Sequence, residues 1–150
     1  MTIVVGLTGG IASGKTTTIF FLKRKGYAIH DSDAAVKKIY SNPSKIFLKY
    51  LKLIGLSDSI KEKKIKKEII REVIFNNQIK KTKLEKFLHN EVKKSRNEFL
   101  KKHKKKKTKI VILDIPLLFE TKLEGICDYT ILLYLPKKNK IQRAMLRKGM

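Results

Sequence analysis

The sequence predicts an α/β fold: a parallel sheet with helices between its strands and a long helical insert. Three observations carry this expectation. Short apolar, β-branched runs lie near both ends of the 150-residue chain and stop at carboxylates or turn residues. The first run leads directly into a glycine-rich turn and a helical pattern. Between the second and third runs, apolar residues recur at helical rather than strand spacing.

Ile3-Val4-Val5-Gly6-Leu7-Thr8 reads as the first strand, apolar throughout as in a buried parallel sheet. Thr16 to Lys25 reads as a helix, with Ile19, Phe20 and Leu22 apolar and Gly26 as its stop. Tyr27 to His30 reads as the second strand and ends at Asp31. Asn42-Pro43 marks a turn before a short helix. Ile65, Ile69, Val73 and Ile74 share the spacing of one helix face, as do Leu84, Phe87, Leu88, Val92, Phe99 and Leu100. Lys109 to Leu113 reads as the third strand, ending at Asp114, and Tyr129 to Leu135 as the fourth, ending at Pro136. Helices between strands imply parallel pairing through right-handed crossovers. The expected core is 1–35 with 109–150, and 36–108 forms a helical insert of the same domain.

Composition limits the function classes. There are 36 Lys and Arg against 13 Asp and Glu, a net charge of +23, with 42% hydrophobic residues. That apolar fraction supports a core. One cysteine permits no intrachain disulfide and fits a reducing cytoplasm. There is no apolar run long enough for a membrane span, and the N-terminus lacks the pattern of a signal peptide. The charge invites nucleic-acid binding, but it is unevenly placed. Residues 36–109 carry 25 basic and seven acidic side chains, net +18, whereas 1–35 carry net +2. The segment Lys101 to Lys109 holds seven lysines in nine residues and reads as a solvated helix end and loop. Phe75, Phe87 and Phe99 fall on apolar helix faces, as core residues rather than stacking platforms for bases.

Gly9-Gly10-Ile11-Ala12-Ser13-Gly14-Lys15-Thr16 satisfies the phosphate-loop pattern G-x-x-x-x-G-K-[ST], between a strand and a helix as the chemistry requires. Glycines let successive N–H groups turn inward, and the helix N-terminus adds partial positive charge at the same point. Gly10, Ile11, Ala12, Ser13, Gly14, Lys15, Thr16 and Thr17 are the candidate ATP-binding residues. Lys15 can reach the β- and γ-phosphates, and the Thr16 hydroxyl can ligate Mg²⁺.

Ligands of parallel α/β sheets bind beyond the carboxyl ends of the strands. Asp31, Asp33 and Asp114 stand at or just past such ends. Phosphoryl transfer to an alcohol needs a carboxylate to take or orient the hydroxyl proton, and Asp33 is the candidate. A helix N-cap is the competing role for Asp31-Ser32-Asp33. Asp114 closes the run Ile110-Val111-Ile112-Leu113 and is the candidate for the Mg²⁺ shell, with a strand-end turn as its alternative role. No Cys/His spacing suggests zinc, and Cys127 reads as an inert, partly buried thiol.

Taken together, these segments resemble the dephospho-CoA kinase family. The similarity runs through Leu7 to Thr17, Asp31-Ser32-Asp33, Arg71 to Asn77 with Leu84-Glu85 and Leu88-His89, and Leu113-Asp114-Ile115-Pro116-Leu117-Leu118-Phe119-Glu120. It ends in Arg143 to Arg147, similar to the start of that family's lid. The resemblance implies a three-layer P-loop NTPase fold with a helical substrate-binding insert and a lid beginning near 139. It implies ATP-dependent phosphorylation of the ribose 3′-hydroxyl of dephospho-CoA, the last step of coenzyme A biosynthesis, with Mg²⁺. Asp33, Lys15 and Arg143 would be catalytic. Arg147 would join the ATP-binding residues. Thr8, Asp33, His89, Pro116, Leu117 and Leu118 would shape the acceptor site. Asn90 departs from the family's usual proline after the histidine. The family continues past the lid into an edge strand and a C-terminal helix, so the resemblance also implies a chain cut short in its lid at Met150, with no edge strand beside Tyr129–Leu135. From the residues alone, another small-molecule P-loop kinase, a basic nucleic-acid-binding protein and an inactive fragment remain open.

Overall fold

A computed structural model describes residues 1–62, 64–136 and 139. The chain divides into two compact units, Met1–Ser32 with the described residues from Glu98 onward, and Asp33–Asn97.

The first unit is built on a four-stranded parallel sheet. Its strands are β1 (Ile3–Gly9), β2 (Ala28–Asp31), β5 (Ile110–Asp114) and β6 (Tyr129–Leu133), in the order β2-β5-β1-β6. The register sets Leu7 beside Asp114, Asp31 beside Asp114, and Gly9 beside Leu133. Both faces of the central strands are covered, which explains why their sequences are apolar without alternation. On one face, Val4, Val111, Leu113, Ile115 and Leu118 form a cluster joined by Phe99 and Leu100. On the other, Leu7 and Ile112 pack with Ile19 and Leu22 of α1 (Lys15–Arg24). Helix, sheet and helix give the three expected layers. The strand bounds differ from the sequence expectation by one or two residues, as element ends commonly do.

The second unit is helical, with α2 (Ser32–Ser41), α3 (Lys45–Leu53), α4 (Lys67–Phe75) and the first part of α5 (Gln78–Lys105). Ser44 caps α3, its hydroxyl accepting from the Phe47 amide at 3.1 Å. Phe47, Leu51, Ile54, Leu56, Ile70 and Leu84 form its core, with Phe87 stacked on Phe47 and on Tyr50.

Two details depart from the periodicity reading. Ile65 belongs to β4 (Lys64–Ile65), which pairs antiparallel with β3 (Ile60–Lys61), rather than to a helix. It still packs against the core, because a two-residue strand can turn one apolar side chain inward as a helix can. Phe75 is 89% exposed rather than in the core. It is the last residue of α4, where the helix has run past the packed cluster. The lysine-rich segment is the end of α5 and the turn after it, as its composition suggests. Among the described residues no helix is long and apolar enough to cross a membrane.

Candidate active site

The phosphate loop joins β1 to α1, and its shape follows from a few close approaches. Gly9 lies opposite Leu133 in the β1–β6 ladder. A Cβ there would stand 2.6 Å from Ser13 Oγ and 2.9 Å from the Leu133 carbonyl oxygen. Ala12 and Gly14 take positive φ, 61° and 92°. The Ser13 amide donates to the Gly10 carbonyl at 3.1 Å, closing the turn. Gly14 is the N-cap of α1, and no side chain caps that helix among the described residues. The helix therefore presents its first N–H groups, with their share of the macrodipole, to the loop's interior. Ser13 Oγ is buried there with no hydrogen-bond partner among the described residues. Thr16 and Thr17 are exposed in the first turn, as is Ile11 in the loop.

Three hydrogen bonds tie this loop and the end of β1 to the end of β5 and the residues after it. The Lys15 Nζ donates to Asp114 Oδ1 at 2.7 Å, an ion pair whose carboxylate side chain is only 6% exposed. A pair so shielded is much less screened by salt than a surface one. The Thr8 hydroxyl, itself buried, donates to the Pro116 carbonyl at 2.9 Å, and the Ile115 amide donates to the Leu7 carbonyl at 3.0 Å. Leu118 is fully buried in the sheet cluster while Leu117 is exposed. The structure thus brings together residues 10–17, Thr8, Asp114, Pro116, Leu117 and Leu118 within the first unit. Asp31 joins them through its register with Asp114.

Asp33 and His89 belong to the second unit. Asp33 is exposed in the first turn of α2, two residues past the end of β2. His89 is exposed on α5. Arg143 and Arg147 lie outside the described residues.

Mg²⁺ takes hard oxygen donors and binds through one or two protein groups alongside phosphate oxygens. The donor set here fits that chemistry: the exposed Thr16 hydroxyl at the head of α1, and the Asp114 carboxylate held against the same helix through Lys15. No cluster of three or more His, Cys, Asp or Glu side chains that could hold a metal occurs among the described residues.

The reading of the sequence named Asp33 but assigned no site role to the residues around it. Lys37 and Tyr40 line a concavity in the helical unit with Asp33, together with Lys67, Ile70 and Arg71. The signal was present in the four-residue spacings of Asp33 and Lys37 and of Lys67 and Arg71, but cations at that spacing also describe any solvated helix face. Burial raises the Tyr40 phenol above its usual pKa, and the nearby Arg71 guanidinium draws it partly back.

The CoaE dephospho-CoA kinase family model matches residues 3–150. A dephospho-CoA kinase of Bartonella henselae is 33% identical over 147 residues, covering 98% of this chain and 74% of its own. One from Carboxydothermus hydrogenoformans is 32% identical, covering 97% and 71%. Among solved structures, a Thermus thermophilus protein superposes with a TM-score of 0.78 at 28% identity, over 99% of this chain and 74% of its own. A dephospho-CoA kinase from Campylobacter jejuni superposes at 0.74 with 29% identity, over 100% and 75%. With the glycine-rich loop, the Lys15–Asp114 pair and the parallel sheet beneath them, these matches show that the chain belongs to the dephospho-CoA kinase family.

Proposed function

We propose that this chain transfers the terminal phosphoryl group of ATP to the ribose 3′-hydroxyl of dephospho-CoA, giving ADP and coenzyme A. The observation that carries the reading is the uncapped head of α1, with Lys15 and Thr16 in its first turn, in a chain matched over residues 3–150 by the dephospho-CoA kinase family.

The loop residues 10–17 would cradle the ATP phosphates with backbone N–H groups and the Lys15 ammonium. Thr16 and Asp114 would hold Mg²⁺, which when bound neutralises charge shared between the β- and γ-phosphates. Lys15 in turn stabilises the charge spread over the transferring group, since a preorganised cation costs no reorganisation during reaction. Asp33 would accept the proton of the 3′-hydroxyl as the new phosphate ester bond forms. Arg143 would act on the transferring group, and Arg147 on ATP. Pro116, Leu117 and His89 would border the acceptor, while Thr8 and Leu118 hold the Pro116–Leu117 segment in place. The single cysteine suits work in the cytoplasm.

The test is incubation of the purified chain with ATP, Mg²⁺ and dephospho-CoA. ADP is followed by a coupled assay and coenzyme A by mass spectrometry. A parallel panel of nucleosides, nucleotides and sugar acids serves as competing acceptors. Coenzyme A formation with dephospho-CoA preferred is expected. Turnover of another acceptor with none of dephospho-CoA would overturn the reading.

A further inference from the structure

We propose that the lysine-rich end of α5 and the turn after it form a docking surface for the phosphate backbone of a single-stranded nucleic acid, with Lys104 and Lys107 lining a concavity that takes one of its phosphates. The inference goes beyond the reaction proposed above. It concerns the opposite edge of the sheet and uses none of the residues assigned to ATP or the acceptor.

Seven of the nine residues from Lys101 to Lys109 are lysines, and all seven are exposed. The helix dipole accounts for cations in the last turn of α5, such as Lys102, Lys104 and Lys105. It does not account for Lys106, Lys107 and Lys109, which lie past the helix end. None of the seven forms an ion pair among the described residues, whereas Lys94, earlier on the same helix, pairs with Glu91 at 2.6 Å. Burial, and after it Lys102 and Lys106, hold the His103 imidazole below its usual pKa, so the segment already opposes one more positive charge. Like charges held this close repel one another. A polyanion laid over them removes that repulsion and releases its own counterions.

The backbone that carries these lysines is fixed. The Thr108 amide donates to the His103 carbonyl at 3.0 Å and the Lys107 amide to the Lys104 carbonyl at 3.1 Å, a Schellman closure of α5. His103 Nδ1 and the Thr108 hydroxyl lie 3.0 Å apart. The Ile3 amide donates to the Lys109 carbonyl at 2.8 Å, which ties the turn to β1. Lys107 takes φ 52° at the closing position, where glycine is the usual residue because it has no Cβ. Lysine there puts a cation at a position where the backbone alone favours glycine. Lys104 and Lys107 line a concavity of about 450 Å³ with Thr2, Ile126 and Asp128. Val4, also in its lining, is 4% exposed and belongs to the core of the sheet. The one carboxylate in that lining is already engaged, since Asp128 Oδ2 accepts from the Val4 amide at 2.7 Å.

Shape favours a single strand as the occupant. The lysines follow a helix end and a turn rather than a straight face, so a flexible strand can track them where a rigid duplex meets only some. A concavity receives a phosphate that projects from a chain, whereas a flat lipid surface cannot enter it. His103 is the only ring among residues 101–109 and is half-buried, so no stacking platform for bases accompanies the lysines and contact is with the backbone. Position also keeps the surface clear of the reaction. Lys109 precedes β5 and Asp114 ends it. At the usual rise of a strand, roughly 16 Å separates Lys109 from Asp114. A bound strand therefore leaves the phosphate loop open.

The probe is a short labelled oligouridylate, followed by fluorescence anisotropy at several salt concentrations. It is titrated with the wild type, with the double variant Lys104→Gln/Lys107→Gln, with Lys107→Gly and, as control, with Lys86→Gln/Lys93→Gln, two exposed lysines earlier on α5. Wild-type affinity should fall steeply with salt. Loss of two phosphate contacts should make the slope of log affinity against log salt shallower by about 1.4 in the first double variant, and weaken binding by about tenfold or more at low salt. The control should keep the wild-type slope and an affinity within about twofold. Lys107→Gly removes the charge but suits the positive φ, so it should melt no lower than the wild type and still bind the strand more weakly. Circular dichroism shows that each variant is folded. Saturating ATP with Mg²⁺ should leave strand binding within about twofold, since the phosphate loop lies at the other end of the strands. Equal losses in the two double variants would overturn the proposal, as would displacement of the strand by ATP or no binding by the wild type. Lysine-dependent sedimentation with phosphatidylserine vesicles, by a chain that binds no strand, would overturn it too.

Discussion

Replacing Gly9 with alanine adds one methyl group where the sheet and the phosphate loop touch. The new Cβ would stand 2.6 Å from Ser13 Oγ, 2.9 Å from the Leu133 carbonyl oxygen and 3.0 Å from Leu133 Cβ. Ser13 can turn its hydroxyl away. The Leu133 carbonyl is backbone of the neighbouring strand, so β1 and β6 must move apart. Overpacking of this kind costs about 1–3 kcal/mol. Alanine also stiffens the unfolded chain, which returns roughly 0.4–1 kcal/mol. Gly125→Ala isolates the steric part, because a Cβ there meets nothing within 4 Å and gains the same stiffening. For a chain of this size each kcal/mol moves the melting temperature by about 2–4 °C, so Gly9→Ala should melt about 2–12 °C below Gly125→Ala. ATP affinity should fall in the first variant only, since the strand shift passes directly into Gly10. Differential scanning calorimetry and ATP titration read both effects. Equal melting temperatures with equal ATP affinity would refute the packing argument.

Three further outcomes are expected. Lys15→Ala should lower ATP turnover by at least about 10²-fold, the scale of one lost electrostatic stabiliser; retained kcat would refute the loop's catalytic assignment. Asp33→Asn should leave the ATP dissociation constant unchanged but cut kcat by about 10²-fold or more, as loss of a general base does; a normal rate would move the base elsewhere. The third concerns His103, whose pKa is lowered by burial and then by Lys102 and Lys106. The unfolded chain therefore takes up this proton first as pH falls below about 6.5, and the fold loses stability in that range. His103→Gln should flatten the decline in melting temperature between about pH 7 and pH 5, and an unchanged slope would remove His103 as its source.

The parallel strands were legible because burial on both faces leaves a plain mark, an unbroken apolar run such as Ile110–Leu113. The phosphate loop was legible because backbone curvature, a lysine and a hydroxyl must occur at fixed spacing for the chemistry. Ile65 was misplaced because one apolar residue at the right interval cannot reveal whether a helix or a two-residue strand carries it. Phe75 misled for a related reason: periodicity gives a direction around a helix axis but not whether a neighbour is packed at that level. The Lys15–Asp114 pair joins residues 99 positions apart, and each had been given a ligand of its own rather than the other. The concavity of Tyr40, Lys67 and Arg71 was hidden by the lysine coat, since in a chain with 36 basic residues no single cation stands out.

The order of the sheet also has a consequence for how the chain is made. β1 leaves the ribosome first, yet both of its neighbours come more than a hundred residues later, with Ile3 opposite Ile110 and Val5 opposite Tyr129. The nucleotide site therefore cannot close until residues 110–133 have been made. Its apolar first strand must wait unpaired, while the helical residues Asp33–Asn97 already have a core of their own to form. Pairings of such long separation fold slowly and leave a strand open to wrong partners in the meantime. For this kinase the vulnerable interval is the delay before β5 appears, and chaperone dependence or aggregation on expression should follow the rate at which residues 98–114 are translated.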